Sequence, residues 1–301
     1  MKTRWTIWVF ILFCFMAGKA ASADIIKPPL VIRLASGTID WRRGVVEAKG
    51  TTVQPKNVRG QNNQQRRATA LNAARSVAGR NLFSTLQEIR INADIKLSDV
   101  ITNNEEITNR LHTMVKEATI SRLKYLPGET VEVTLRMNLF GAFSQLILPP
   151  EIKHIESVRP IPADKSPDGV FPPVESERNY TPKSYTGMVV DARGTGLTPA
   201  MAPRILDENG EEVFGAAFAS REFAVQSGMV GYTFDMAKAL KNPRVMNHPM
   251  TLKGLKAKGL GSCDIVVSVS DANRLRSNFN HLSFLKKCRV MIVLGPIGNK
   301  K

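Results

Sequence analysis

The sequence is poor in the residues that build most catalytic and metal sites. Among 301 residues there are only 4 histidines and 3 cysteines. His112, His154, His248 and His281 fall in unrelated contexts, with no His-x-His or His-Glu-x-x-His spacing. That excludes the usual zinc signatures, which need closely spaced ligands on one helix or turn. There is no Cys-x-x-Cys pair, no Gly-x-Ser-x-Gly elbow and no phosphate-binding glycine loop. Internal repeats are also missing, and beyond residue 23 no apolar run approaches the roughly 20 residues that cross a bilayer. No catalytic residue, cofactor or metal is therefore expected.

What is present begins with the N-terminus, which reads as an export signal over residues 1–23. Lys2 and Arg4 form a positive start, Trp5 to Gly18 is continuously apolar, and Ala21-Ser22-Ala23 supplies small residues for cleavage. The expected cut lies between Ala23 and Asp24. A lipid anchor would need a cysteine at the cut, and Cys14 follows Phe13, so none is expected. The mature chain is expected in the periplasm, reaching the outer membrane only through protein contacts.

Acid is scarce relative to base. The 42 Lys and Arg face 26 Asp and Glu, a net charge of +16 that becomes +13 once Lys2, Arg4 and Lys19 leave with the signal. In the cytosol such a balance would favour nucleic acid through counterion release. Export removes that partner and leaves anionic envelope surfaces or acidic proteins. Loss of Cys14 leaves an even pair, Cys263 and Cys288, each preceding a run that reads as a strand. They form a candidate disulfide if the two strands lie parallel and adjacent; two unpaired buried thiols are the alternative.

The expected organisation is a short N-terminal extension (24–36), an α+β domain (37–148), a proline-rich linker (149–183), a mixed α/β domain (184–296) and a basic tail (297–301). The linker holds eight prolines, which resist both helix and sheet. In the first domain, Thr38 to Trp41 and Val45 to Ala48 flank a turn at Gly44. From Gln64 to Ile89, the positions Ala68, Leu71, Ala74, Ala78, Leu82, Leu86 and Ile89 make one helical stripe, with small residues suited to close approach to a sheet. Thr102 to Glu105 announces a second helix as a capping box. Thr130 to Leu139 alternates cleanly, and Pro127-Gly128 joins it to a strand at Ile120 to Leu126. The fold class expected is α+β: a small antiparallel sheet with helices on one face, followed by the mixed α/β domain.

In the second domain, Tyr185 to Ala192 reads as a strand. Asn209-Gly210 marks a hairpin between Arg204-Ile205-Leu206 and Glu212-Val213-Phe214. Asp264 to Ser270, Asp271 to Ser277 and Arg289 to Leu294 suggest strand, helix, strand. The candidate interaction turn is Asp191, Arg193, Gly194 and Gly196. Its glycines could turn successive amides toward an anion while Arg193 adds charge; a rigid turn closed by an Asp191 to Arg193 contact is the alternative. Asp207 and Glu208 read as an exposed turn.

Ile39-Asp40-Trp41, Gly44 to Gly50, Ala73-Ala74-Arg75 and Arg80-Asn81-Leu82, in this order before a closing strand, resemble the N-terminal domain of flagellar proteins P and T and of related bacterial surface lipoproteins. The resemblance spans about residues 37–148. It implies a small α+β domain used in non-enzymatic assembly at the periplasm or outer membrane, often in flagellar basal-body rings. The expected partners are then envelope or flagellar basal-body proteins, further copies of the chain, or an anionic envelope surface. The competing expectation is a periplasmic binding module for an anionic glycan, lipid headgroup or small ligand.

Overall fold

A computed structural model describes residues 30–54, 62–153, 185–277 and 279–295. The expected signal with its cut at Ala23 and Asp24, nearly all of the proline-rich linker and the basic tail lie outside the described residues.

The first unit is an antiparallel sheet of five strands in the order β1 (Val31–Arg33), β2 (Thr38–Asp40), β3 (Val45–Val53), β5 (Thr130–Asn138), β4 (Thr119–Leu126). The β2–β3 turn forms because Asp40 Oδ1 accepts the amides of Arg42 and Arg43 at 3.0 and 3.1 Å. Strands β3 and β5 pair over nine residues, from Val45 with Asn138 to Val53 with Thr130. Between β3 and β4 the chain forms α1 (Asn63–Gln87), α2 (Leu97–Asn103) and α3 (Glu105–Lys116).

Helix α1 lies over β3 and β5 through the stripe that the spacing predicts, with one displacement at its start. Ala70, Ala74, Ala78, Leu82, Leu86 and Ile89 are buried, whereas Ala68 is exposed on the first, solvated turns. The close approach depends on Gly50. A Cβ there would lie 2.2 Å from both Ala74 O and Ala78 N, so glycine and alanine together set the helix-to-sheet distance. The cap of α3 also differs from expectation. Asn104 Oδ1 accepts Ile107 N at 3.0 Å, while Thr102 belongs to α2 and donates its hydroxyl to Ser98 O at 2.8 Å. An intervening short helix has taken Thr102 into its own last turn.

After β5, α4 (Ala142–Ile147) leads toward the second unit. Its strands and helices run β6 (Gly187–Asp191), β7 (Ile205–Leu206), β8 (Glu212–Phe214), α5 (Arg221–Ser227), β9 (Gly231–Thr233), α6 (Met236–Leu240), β10 (Pro249–Lys258), β11 (Asp264–Val267), α7 (Val269–Arg276), α8 (Phe279–Lys286) and β12 (Val290–Val293). They make one seven-stranded sheet, β8-β7-β11-β10-β6-β12-β9. Only β7 with β8 and β10 with β11 are antiparallel; β10, β6, β12 and β9 form a parallel block. β6, β11 and β12 are buried at every position, the pattern of strands covered on both faces. On one face Val189, Met291 and Val293 pack with Ala239 of α6. On the other, Met188, Val190 and Ile292 join the core of the first unit, so one continuous apolar interior serves both sheets.

This topology overturns the disulfide. β11 and β12 are separated by β10 and β6, about 14 Å across the sheet at the usual strand spacing. They also point in opposite directions, so Cys263 and Cys288 precede their strands at opposite ends of the sheet. A disulfide needs Cα atoms within about 7 Å. Both residues are buried free thiols.

Candidate functional site

Asp191 ends β6, and the predicted turn follows at once. Gly194 and Gly196 hold φ of +81° and +76°, and a Cβ at either would meet nothing, so backbone conformation alone asks for glycine here. Arg193 folds back onto Asp191 in a two-pronged pair, Nε to Oδ1 at 2.7 Å and Nη2 to Oδ2 at 2.8 Å. Lys253 Nζ, from the neighbouring β10, reaches Oδ2 at 3.2 Å. The Arg193 guanidinium holds the buried Asp191 carboxyl well below the usual carboxylate range against the opposing effect of burial, and Lys253 lowers it further. Three amides of the segment bond locally: Arg193 N donates to Asp191 Oδ1, Thr195 N to Ala192 O and Leu197 N to Thr195 Oγ1. Asp191 and Arg193 therefore meet as the rigid-turn alternative has it, with Gly194 and Gly196 supplying the positive-φ positions that follow.

That turn launches residues 197–203 across the first unit. Met201 N donates to Arg90 O at 3.0 Å and Ala202 N to Ile91 O at 2.7 Å. Tyr232 pins the same loop, its hydroxyl accepting from Ala200 N at 3.0 Å and donating to Ala200 O at 2.9 Å. Burial pushes the phenol's pKa up. Asp207 is likewise no exposed turn residue. Its side chain is fully enclosed, accepting Asn209 N, Glu211 N and Arg276 Nη1 at 2.9 to 3.0 Å. Glu208 accepts Val269 N at the start of α7.

Where the units meet there is a cleft of about 880 Å³ with an apolar wall that includes Ile91, Ile95, Val100 and Ile107. Its charged side holds Arg204, Glu212 and Arg221. Arg204 is committed to the enclosed Asp264, with Nη2 to Oδ2 at 2.6 Å, and reaches Asp94 of the first unit at 3.4 Å. Arg221 donates to the carbonyls of Gln145, Leu148, Pro149 and Ile152, closing the end of α4. Burial raises the Glu212 carboxyl, whose Oε1 has no hydrogen-bond partner. Glu151 and Lys153 complete the charged lining of the cleft. Among the described residues no cluster of His, Cys, Asp and Glu could hold a metal, and no helix is long and apolar enough to cross a membrane. Nothing in the sequence pattern marks this cleft, because residues more than 100 positions apart form it.

A third feature lies at the far edge of the first sheet. Every residue of β4 is exposed, including Ile120, Leu123 and Tyr125 at 37, 40 and 60 %. Strand β4 pairs with β5 alone, so its outer row of backbone groups has no strand partner among the described residues. Over the neighbouring β5, a groove of about 560 Å³ is lined by Gly79 and Phe83 of α1, Val115 of α3 and Leu135 of β5. His112 stacks on Phe83 there, with ring centres 4.2 Å apart.

A family model described as the second domain of Treponema pallidum Tp0624 matches residues 187–296. The matched segment runs from the first residue of β6 to just beyond β12, and so takes in the whole seven-stranded sheet together with the Asp191–Arg193 turn. No curated protein matches the chain. Residues 187–296 are thus similar to the second domain of Tp0624, a likeness that covers the mixed sheet and not the antiparallel unit before it.

Proposed function

We propose that this chain is a non-enzymatic assembly protein of the bacterial envelope, working by protein contacts in the periplasm. The observation that carries this reading is the open β4 edge on a body whose two sheets share one core. A strand edge whose backbone donors and acceptors are unmet is a template for another chain. Fused sheets present it on a stiff support. The resemblance of residues 37–148 to flagellar assembly domains supplies the flagellar basal body as a setting. The competing binding-module reading has less support, because Arg193, its charged hook, is already held by Asp191.

Crosslinking in intact envelopes followed by purification of the chain tests the proposal. The expected result is recovery of defined envelope proteins or of further copies of the chain. Recovery of the monomer alone, together with saturable binding of a small anionic ligand, would replace it with the binding-module reading.

A further inference from the structure

The β4 edge is not chemically neutral. In the register with β5, Ile120 stands opposite Leu135, Leu123 opposite Val133 and Tyr125 opposite Val131. Facing residues of a sheet share a side, so these three side chains lie on the side where α1 covers Val131, Val133 and Leu135. Of the groove's lining only Leu135 belongs to the sheet, and Ile120 stands next to it across the strand pair. The groove's charged residues are Arg75, Arg80 and Lys116, and no carboxylate lines it. On β4 itself, Arg122 and Lys124 are exposed on the other side of the sheet, where Lys124 stands opposite Glu132 of β5, an acid that Lys49 reaches at 3.7 Å. Neither they nor Arg80 has an ion-pair partner among the described residues.

We infer that the outer edge of β4 accepts an extended, acidic segment of a partner protein as an added strand. This deepens the assembly role proposed above and rests on it. Three physical points select that occupant. A second extended backbone matches the alternating donors and acceptors of a free edge, which a lipid or a glycan does not reproduce. The apolar shelf of Ile120, Leu123 and Tyr125 asks for apolar side chains at every second position of the incoming strand. Arg122 and Lys124, on the other side of the strand, ask for carboxylates at the others.

A second copy of this chain is a poor match for the same edge. Two-fold antiparallel pairing centred on Leu123 sets Arg122 opposite Lys124 of the other copy. Moving the centre by one residue sets Arg122 opposite itself or Lys124 opposite itself. Like charges directly opposite destabilise a strand pair, so these cations guard the edge against its own kind while attracting acid.

The test uses the full chain and a fluorescent synthetic peptide of about ten residues, the length of a long strand, in which Glu and Val alternate. Saturable binding that weakens with salt is expected, with the Lys–Val counterpart binding at least about tenfold more weakly. Methylating the peptide's amides at every second residue should abolish binding in one of the two frames and spare it in the other, because alternate amides face the edge. The double variant Arg122→Glu, Lys124→Glu should reverse the preference toward the Lys–Val peptide. Equal binding of both peptides, or full binding in both methylated frames, would overturn the inference. So would binding of anionic phospholipid vesicles without binding of the peptide, which would assign the cations to a membrane surface. If envelope crosslinking recovers partners but the peptide does not bind, the strand inference fails and the assembly role stands; if the peptide binds but no envelope partner is recovered, the assembly role fails instead.

Discussion

Trp41 and Tyr232, one from each sheet unit, meet edge to face with ring centres 6.1 Å apart and planes at 76°. Trp41 follows β2 and Tyr232 sits in the middle of β9, so this pair joins segments separated by most of the chain. Behind it, the Tyr232 hydroxyl clasps both backbone groups of Ala200. The contact makes the two units one mechanical body.

Denaturation should therefore report the two units together. Tyr232→Phe leaves the buried Ala200 N–H and C=O without their partner, and should cost about 1–3 kcal/mol. Trp41→Ala should cost about 3–5 kcal/mol through lost burial and a cavity. The double-mutant cycle should show a coupling of about 0.5–1.5 kcal/mol, the usual range for an aromatic pair. Urea unfolding followed by far-UV circular dichroism checks all three, with tryptophan fluorescence as a second probe in the proteins that keep Trp41; two separate transitions in the parent protein would contradict a shared core.

Two glycines on and under α1 should respond in opposite directions. Gly50→Ala drives a methyl into the backbone of Ala74 and Ala78, and should destabilise by about 3 kcal/mol or more. Gly79→Ala meets only Val115 Cγ1, at 3.6 Å, and should stabilise the helix by up to about 1 kcal/mol. Thermal midpoints of the two variants measure the contrast.

The Asp191–Arg193 pair predicts an acid-dependent stability. Asp191 has a depressed pKa in the folded state, so its contribution is fully present above the unfolded-chain value of about 3.9 and is lost as pH falls below it. Asp191→Asn should lower stability at neutral pH, and its deficit against the parent protein should shrink below about pH 4. Unfolding free energies at a series of pH values give the comparison. A deficit independent of pH would assign the effect to lost packing.

Cys263 and Cys288 should behave as buried and unpaired thiols. Burial pushes the Cys288 pKa up to about 12 and raises that of Cys263. Neither should react with a maleimide in the folded protein at neutral pH, and both should react on unfolding without any reductant. Mass spectrometry of the labelled peptides containing Cys263 and Cys288 distinguishes this from a bridge.

The elements of the first unit were legible because their periodicities are strong. The alternation of Thr130 to Leu139 and the stripe from Ala74 to Leu86 each present one face to a core, and local pattern suffices to identify such faces. The Asn209-Gly210 hairpin was legible for a different reason: Gly210 takes the positive φ that the turn requires. Thr102 was misassigned to the cap of α3 because a second short helix, too brief to show a period, lies directly before it. Of the predicted site, the meeting of Asp191 with Arg193 followed from their spacing of two residues across a turn. Lys253 did not, since its approach depends on β10 pairing with β6.

What the sequence determined by itself is local: which segments are helix or strand, where the glycine turns fall, and the excess of base over acid. Those properties depend on backbone preference and on side-chain period, which act within a few residues. The tertiary structure decided the order of strands, and with it the separation of Cys263 from Cys288, the clasp of Tyr232 on Ala200 and the cleft that holds Glu212. It also decided that β4 would stand at an edge. Eight residues with ordinary strand character do not reveal whether one neighbour or two will pair with them, because that depends on which distant segments the whole fold brings alongside.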